Sequence, residues 1–147
     1  MEEYAVSSKC RARGDSLVTD SNSELVSYRL QKARETLIDA RILADARRWN
    51  PCVNRLYYAC FYAVSALLIK EGLSSAKHAG MRSLFNRNFV KTNKVPKETA
   101  RIFNDLFERR QEGDYVDFVD FKESQVLSWL PEAEAFVQNL AALVEKS

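Results

Sequence analysis

The sequence predicts an all-α protein, an up-and-down bundle of four to five helices. Three observations carry this. Only four glycines and three prolines punctuate 147 residues, few for a chain of strands and tight turns. Leu, Ala, Arg, Glu and Lys recur throughout, all good helix formers. Apolar residues return every three or four positions over most of the chain, the signature of helices that bury one face. The length suits one domain, and an apolar share of 46% supplies a sizeable core.

Residues 1–22 are polar without a sustained period and read as a flexible N-terminal arm, leaving 23–147 for the bundle. In the first helix Val26, Leu30, Ala33, Leu37, Ala40 and Ala44 form an apolar seam, with alanines that let a partner helix approach closely. Arg29, Lys32, Arg34, Glu35, Asp39 and Arg41 fall off that seam and are expected to face solvent. "NPCVNRLYYACFYAVSALLIKEGL" supplies a second helix, with Asn50 as N-cap, Pro51 at the first helical position and Gly72 closing it. It is apolar almost all round, so it belongs at the centre. "KHAGMRSLFNRNFVK" follows a Ser74–Ser75 capping signal as the third helix, and a fourth begins near Pro96. The last spans roughly 121–145, with Val126, Trp129, Ala133, Phe136, Val137, Leu140 and Val144 in phase and a kink expected at Pro131. Short connections favour antiparallel neighbours.

Composition narrows the function. A net charge of +2 does not by itself announce nucleic acid. Cys10, Cys52 and Cys60 form no C-x-x-C pair, and with one histidine in the chain no zinc site is expected. Free thiols point to a reducing compartment. No run of apolar residues reaches the roughly 20 of a membrane span, and the N-terminus lacks a secretory signal core, so the expected location is the cytoplasm.

The chemistry concentrates in "FERRQEGDYVDF", residues 107–118. On a wheel with Ile102 at 0°, Phe103, Leu106 and Phe107 fall at about 100°, 40° and 140°, and Arg110 at about 80°. Arg110 is therefore aimed along the apolar stripe, with Arg109 at its edge and a sharp turn expected beyond. A guanidinium so placed needs a partner. An internal carboxylate such as Asp114 or Glu112 would serve, and so would a bound anion, since the planar fork suits phosphate. On the second helix Asn54, Arg55, Tyr57 and Tyr58 fill the first turns, and Asn54, Tyr58, Phe61 and Ser65 share one face. Aromatic residues at that spacing usually build core, but Asn54 and Tyr58 bring polar groups to a packing face. Arg82, Arg87, Lys91, Lys94 and Lys97 form a run without an acid, read as a solvated face rather than a nucleic-acid groove.

"NRLYYACFYAVSALLIKEGL", "KHAGMRSLFNRNFVKTNKVP" and "LFERRQEGDYVDF", in that order, resemble the HEPN superfamily, the higher eukaryotes and prokaryotes nucleotide-binding domain. The resemblance covers roughly 24–145 and is to small stand-alone prokaryotic members associated with minimal nucleotidyltransferases. It implies a helical bundle, commonly a homodimer whose paired helices form a cleft, and often a role in toxin–antitoxin modules. Many members are metal-independent ribonucleases marked by Arg, a polar residue, three variable residues and His. Arg110 and Gln111 match the first two positions, while Tyr115 stands in the histidine's place. Tyrosine, with an ordinary pKa near 10, is a poor base at neutral pH but can still donate a hydrogen bond to phosphate.

The residues and the resemblance together point to a non-catalytic binding or regulatory protein that takes a nucleotide or RNA phosphate through Arg110, Gln111, Asp114, Tyr115, Asn54, Arg55, Tyr58 and Arg109. No cofactor and no metal are implied. Tyr115 is also a candidate site for nucleotidyl transfer by the partner enzyme. One alternative is a ribonuclease with an altered Arg110–Tyr115 site. His78 would then be a substitute base, kept neutral at a helix N-terminus but not brought to Arg110 by anything in the sequence. A second is a structural helical module with Arg110 in an internal salt bridge.

Overall fold

Short connections between amphipathic segments leave the chain little choice but to fold back on itself. The computed structural model does so, describing the backbone of residues 15–115 and 119–146 and the side chains of 22–110 and 119–146. Among the described residues five α-helices follow one another: α1 (Asp15–Asp45), α2 (Trp49–Lys70), α3 (His78–Phe85), α4 (Lys97–Tyr115) and α5 (Glu123–Glu145). A π-helical turn, Asn86–Val90, extends α3. The all-α bundle expected from composition and periodicity is what the chain adopts. The helix begins at Asp15, so its first turns take in residues that the sequence pattern assigns to the arm.

α2 is the hub and packs against α1, α3, α4 and α5, with α1 its most extensive neighbour. Its core residues, from Cys52 to Ile69, lie on every side of the helix, as its all-round apolarity requires. By length and hydropathy alone α2 could cross a membrane, but 78% of its apolar window is buried in the bundle. On α1 the small residues Ala33, Ala40 and Ala44 are buried, which lets the two backbones approach. The Cys52 thiol donates to the Ala40 carbonyl oxygen at 3.2 Å across this contact.

Helix ends refine the sequence reading. α2 starts at Trp49 with Arg48 as N-cap, not Asn50. Asn50 is drawn off by a better use: its Nδ2 donates to the Val119 carbonyl at 2.8 Å, and its Oδ1 accepts the Phe121 N–H at 2.9 Å. One amide thereby pins the segment that leads into α5. At the other end Gly72 does close α2, at φ +77°. The Leu73 N–H reaches the Leu68 carbonyl and the Gly72 N–H that of Ile69, the paired bonds of a Schellman motif. α5 runs through Pro131 as one helix. Both Pro131 and Leu127, whose carbonyl loses its donor, lie on the exposed side, where water can supply the bond.

Two further expectations are corrected. Arg29 is not on the solvent face: it is 1% exposed, and its Nη1 donates to Ser65 Oγ at 2.5 Å. The buried hydroxyl of Ser65 gives the guanidinium a partner on α2 that periodicity along α1 cannot register. Nor does the chain turn after Arg110, because α4 continues to Tyr115. A glycine near the end of a helix costs about 1 kcal/mol, too little to stop a helix already anchored by its apolar stripe.

Candidate functional site

α4 buries Ile102, Phe103, Leu106 and Phe107, and Arg110 continues the same stripe at 8% exposure. The stripe meets the first turns of α2, where Tyr57 is fully buried and Tyr58 half-buried. The Arg110 Cζ lies 4.8 Å from the centre of the Tyr57 ring and 5.6 Å from that of Tyr58. Such cation–π contacts contribute about 0.5–2 kcal/mol each, more as water is excluded. They seat the guanidinium on the two rings at the end of the stripe.

Tyr57 is the centre of the arrangement. Its ring lies within 6.0 Å of Tyr58, Phe61, Phe103 and Phe107. It is nearly parallel to Phe103, at 7°, and Phe103 in turn to Phe136 of α5, at 11°. The site therefore rests on an aromatic ladder that crosses the bundle. Arg82 covers the outer side, with its Cζ 4.1 Å over Phe107 and Nη1 3.6 Å from the Glu108 carboxylate.

The structure also delivers a residue that sequence spacing does not place there. His78, the first residue of α3, stacks on Phe61 at 4.3 Å and 16°. Its Nδ1 shares a hydrogen bond with the Tyr57 hydroxyl at 3.0 Å. The Tyr58 ring stands nearly perpendicular to the same imidazole, with centres 5.7 Å apart. His78 and Arg110, 32 positions apart, thus contact the same two tyrosines. The turn before α3 is tight enough that a Cβ on Gly80 would meet Ser75 Oγ at 2.1 Å. That Oγ accepts the Lys77 N–H at 3.2 Å, which fixes where His78 enters the helix. The only sequence signal was a histidine just after a Ser-Ser cap, with a glycine two residues on.

Of the residues singled out from the sequence, Asn54, Arg55, Tyr58 and Arg110 are brought together. Asn54 Oδ1 accepts from Arg55 Nε at 3.1 Å and from Nη2 at 2.9 Å, and the Arg55 Cζ lies 5.2 Å from the Tyr58 ring centre. Arg109 is exposed on the same turn as Arg110. Ser65 sits deep in the core with Arg29, away from this cluster. The side chains of Gln111, Asp114 and Tyr115 lie outside the described residues, although their backbone is the last turn of α4. Of the basic run, Arg87, Lys91, Lys94 and Lys97 are exposed, whereas Arg82 belongs to the edge of the site.

An all-α bundle with an arginine carried on tyrosines at one helix end and a histidine from another helix defines a small helical protein built around a cationic, aromatic site. The chain belongs to the HEPN domain family, whose profile it matches over residues 26–143. Among its relatives, a UPF0332 protein of Thermotoga maritima is 44% identical over 126 residues, 86% of this chain and 96% of that one. Two proteins of Methanocaldococcus jannaschii carry toxin names. "Putative toxin MJ0605" is 31% identical over 80% of this chain and 87% of its own length. "Putative toxin MJ0142" is 29% identical over 75% of each.

Proposed function

We propose that this chain is a non-catalytic HEPN protein whose Arg110 site binds a phosphate of a nucleotide or of RNA. It would work in the cytoplasm as a homodimer beside a minimal nucleotidyltransferase, within a toxin–antitoxin-like module. The observation that carries the reading is the Arg110 guanidinium, on the apolar stripe of α4 and seated on Tyr57 and Tyr58. The planar guanidinium fork suits a phosphate, and the half-exposed Tyr58 offers a surface on which a base can stack. The toxin names of two relatives agree with the module. Calorimetric titration of AMP into the full chain, in EDTA, tests this. Saturable binding that Arg110→Gln weakens about tenfold supports it. Equal binding by both proteins, or none, counts against it. Intact-mass analysis with a cognate transferase and ATP tests Tyr115 as an acceptor, since the adduct must vanish in Tyr115→Phe.

One observation favours the ribonuclease reading as runner-up. His78 stands on the same tyrosines as Arg110, so a group able to carry a proton near neutral pH accompanies the phosphate contact. Cleavage of labelled RNA in EDTA, abolished by His78→Gln and by Arg110→Gln, would bring this reading forward. An intact substrate after prolonged incubation with folded wild type would remove it.

A further inference from the structure

Resting on the reading that Arg110 takes a phosphate, we propose that Arg55 and Arg110, both against the Tyr58 ring, form a clamp for two neighbouring phosphate groups. The Arg110 Cζ is 5.6 Å from the Tyr58 ring centre and the Arg55 Cζ 5.2 Å. The two guanidinium carbons, carried by different helices, are therefore held no further apart than twice the larger distance. A diphosphate or one internucleotide step fits within that span, whereas the two groups of a long polyanion several steps apart do not.

Arg55 is held ready for a ligand rather than consumed by the fold. Its Nε and Nη2 both donate to the single Oδ1 of Asn54, which orients the guanidinium and leaves its charge intact. Among the described residues its partners are that neutral amide and the Tyr58 ring, and no described carboxylate pairs with it. Holding a second cation this close to Arg110 costs Coulomb energy, which a doubly anionic ligand returns. Asn54 thereby acquires a purpose: it is the positioning residue of the second cation.

Two sources supply this chemistry, a nucleoside diphosphate and successive phosphates of a short RNA. Calorimetry with the full chain in EDTA separates them, using AMP, ADP and the 5′-phosphorylated dinucleotide pApA. The clamp predicts that ADP or pApA binds about tenfold tighter than AMP, the effect of one added charge-assisted phosphate contact. Arg55→Gln should erase that advantage, bringing ADP and pApA down to the affinity of AMP for the same variant. Asn54→Ala, which frees Arg55 without removing it, should lose part of the advantage. Arg55 and Asn54 are both half-exposed, so the variants are expected to fold, which circular dichroism checks. Whichever of ADP and pApA binds tighter names the source. AMP bound as tightly as both two-phosphate ligands overturns the clamp alone, as does an Arg55→Gln variant that weakens all three equally. No binding of any ligand to wild type overturns the clamp together with the phosphate site beneath it.

Discussion

The hydroxyl of Tyr57 and Nδ1 of His78 share a hydrogen bond at 3.0 Å across 21 positions of sequence. Because the same tyrosine ring supports the Arg110 guanidinium at 4.8 Å, three helices converge on one phenol. α2 supplies the plate, α3 the imidazole and α4 the cation. The candidate site is thus a tertiary object, and its integrity can be tested apart from any ligand.

Tyr57→Phe keeps every ring contact and deletes only the hydroxyl. The hydrogen bond is part-buried, and His78 Nδ1 would lose its partner on α2. We expect a loss of about 1–2 kcal/mol, measured by urea unfolding. We also expect His78 ring resonances to shift while the far-ultraviolet spectrum is unchanged. A variant as stable as wild type would mean that water replaces the phenol without cost.

Gly80→Ala tests how His78 is placed. A Cβ at this position would sit 2.1 Å from Ser75 Oγ and 2.9 Å from Ser75 Cβ, so the start of α3 must shift. The expected cost is about 1–3 kcal/mol. Gly80→Ala combined with Ser75→Gly should recover most of it, since the obstructing side chain is gone. Failure of the double variant to recover would place the strain elsewhere.

The buried thiols give a pH dependence. Burial lifts the Cys52 thiol from 9.0 to about 11 and raises that of Cys60 still further. A raised value in the folded state favours the neutral thiol there. The stability this contributes is therefore complete below pH 9 and is lost as pH rises towards 11. For Cys52 the loss between pH 8 and 10.5 is roughly 2 kcal/mol. Urea unfolding of wild type and Cys52→Ala at the two pH values isolates it, because lysines and tyrosines titrate alike in both proteins. The stability gap between them should narrow at pH 10.5, and a constant gap would contradict the assignment.

Much of the fold was legible because local periodicity and punctuation agree with the tertiary packing. The alanine seam of α1, the central character of α2 and its stop at Gly72 are properties of single segments. So is the stripe that carries Arg110. What sequence could not supply were pairings between helices. Arg29 looks like a surface charge on α1 until Ser65 of α2 is placed against it. Asn50 looks like a cap until residues 119–121 arrive to take its amide. His78 looks unattached for the same reason, since no spacing rule joins the start of α3 to the third turn of α2. The reach of α4 past Gly113 was missed because a glycine was weighed as a stop without the packing that anchors the preceding turns.

Whether Arg110 holds a phosphate is read most directly from an anisotropy titration of a short, labelled, 5′-phosphorylated single-stranded RNA in EDTA, with wild type and Arg110→Gln in parallel. Saturable binding to wild type is expected, weakened about tenfold by Arg110→Gln, with a salt dependence shallower by about 0.7 in slope, the share of one phosphate contact. Superimposable isotherms, or no saturable binding to folded wild type, would mean that Arg110 sits on its tyrosines for the sake of the fold and not of a phosphate.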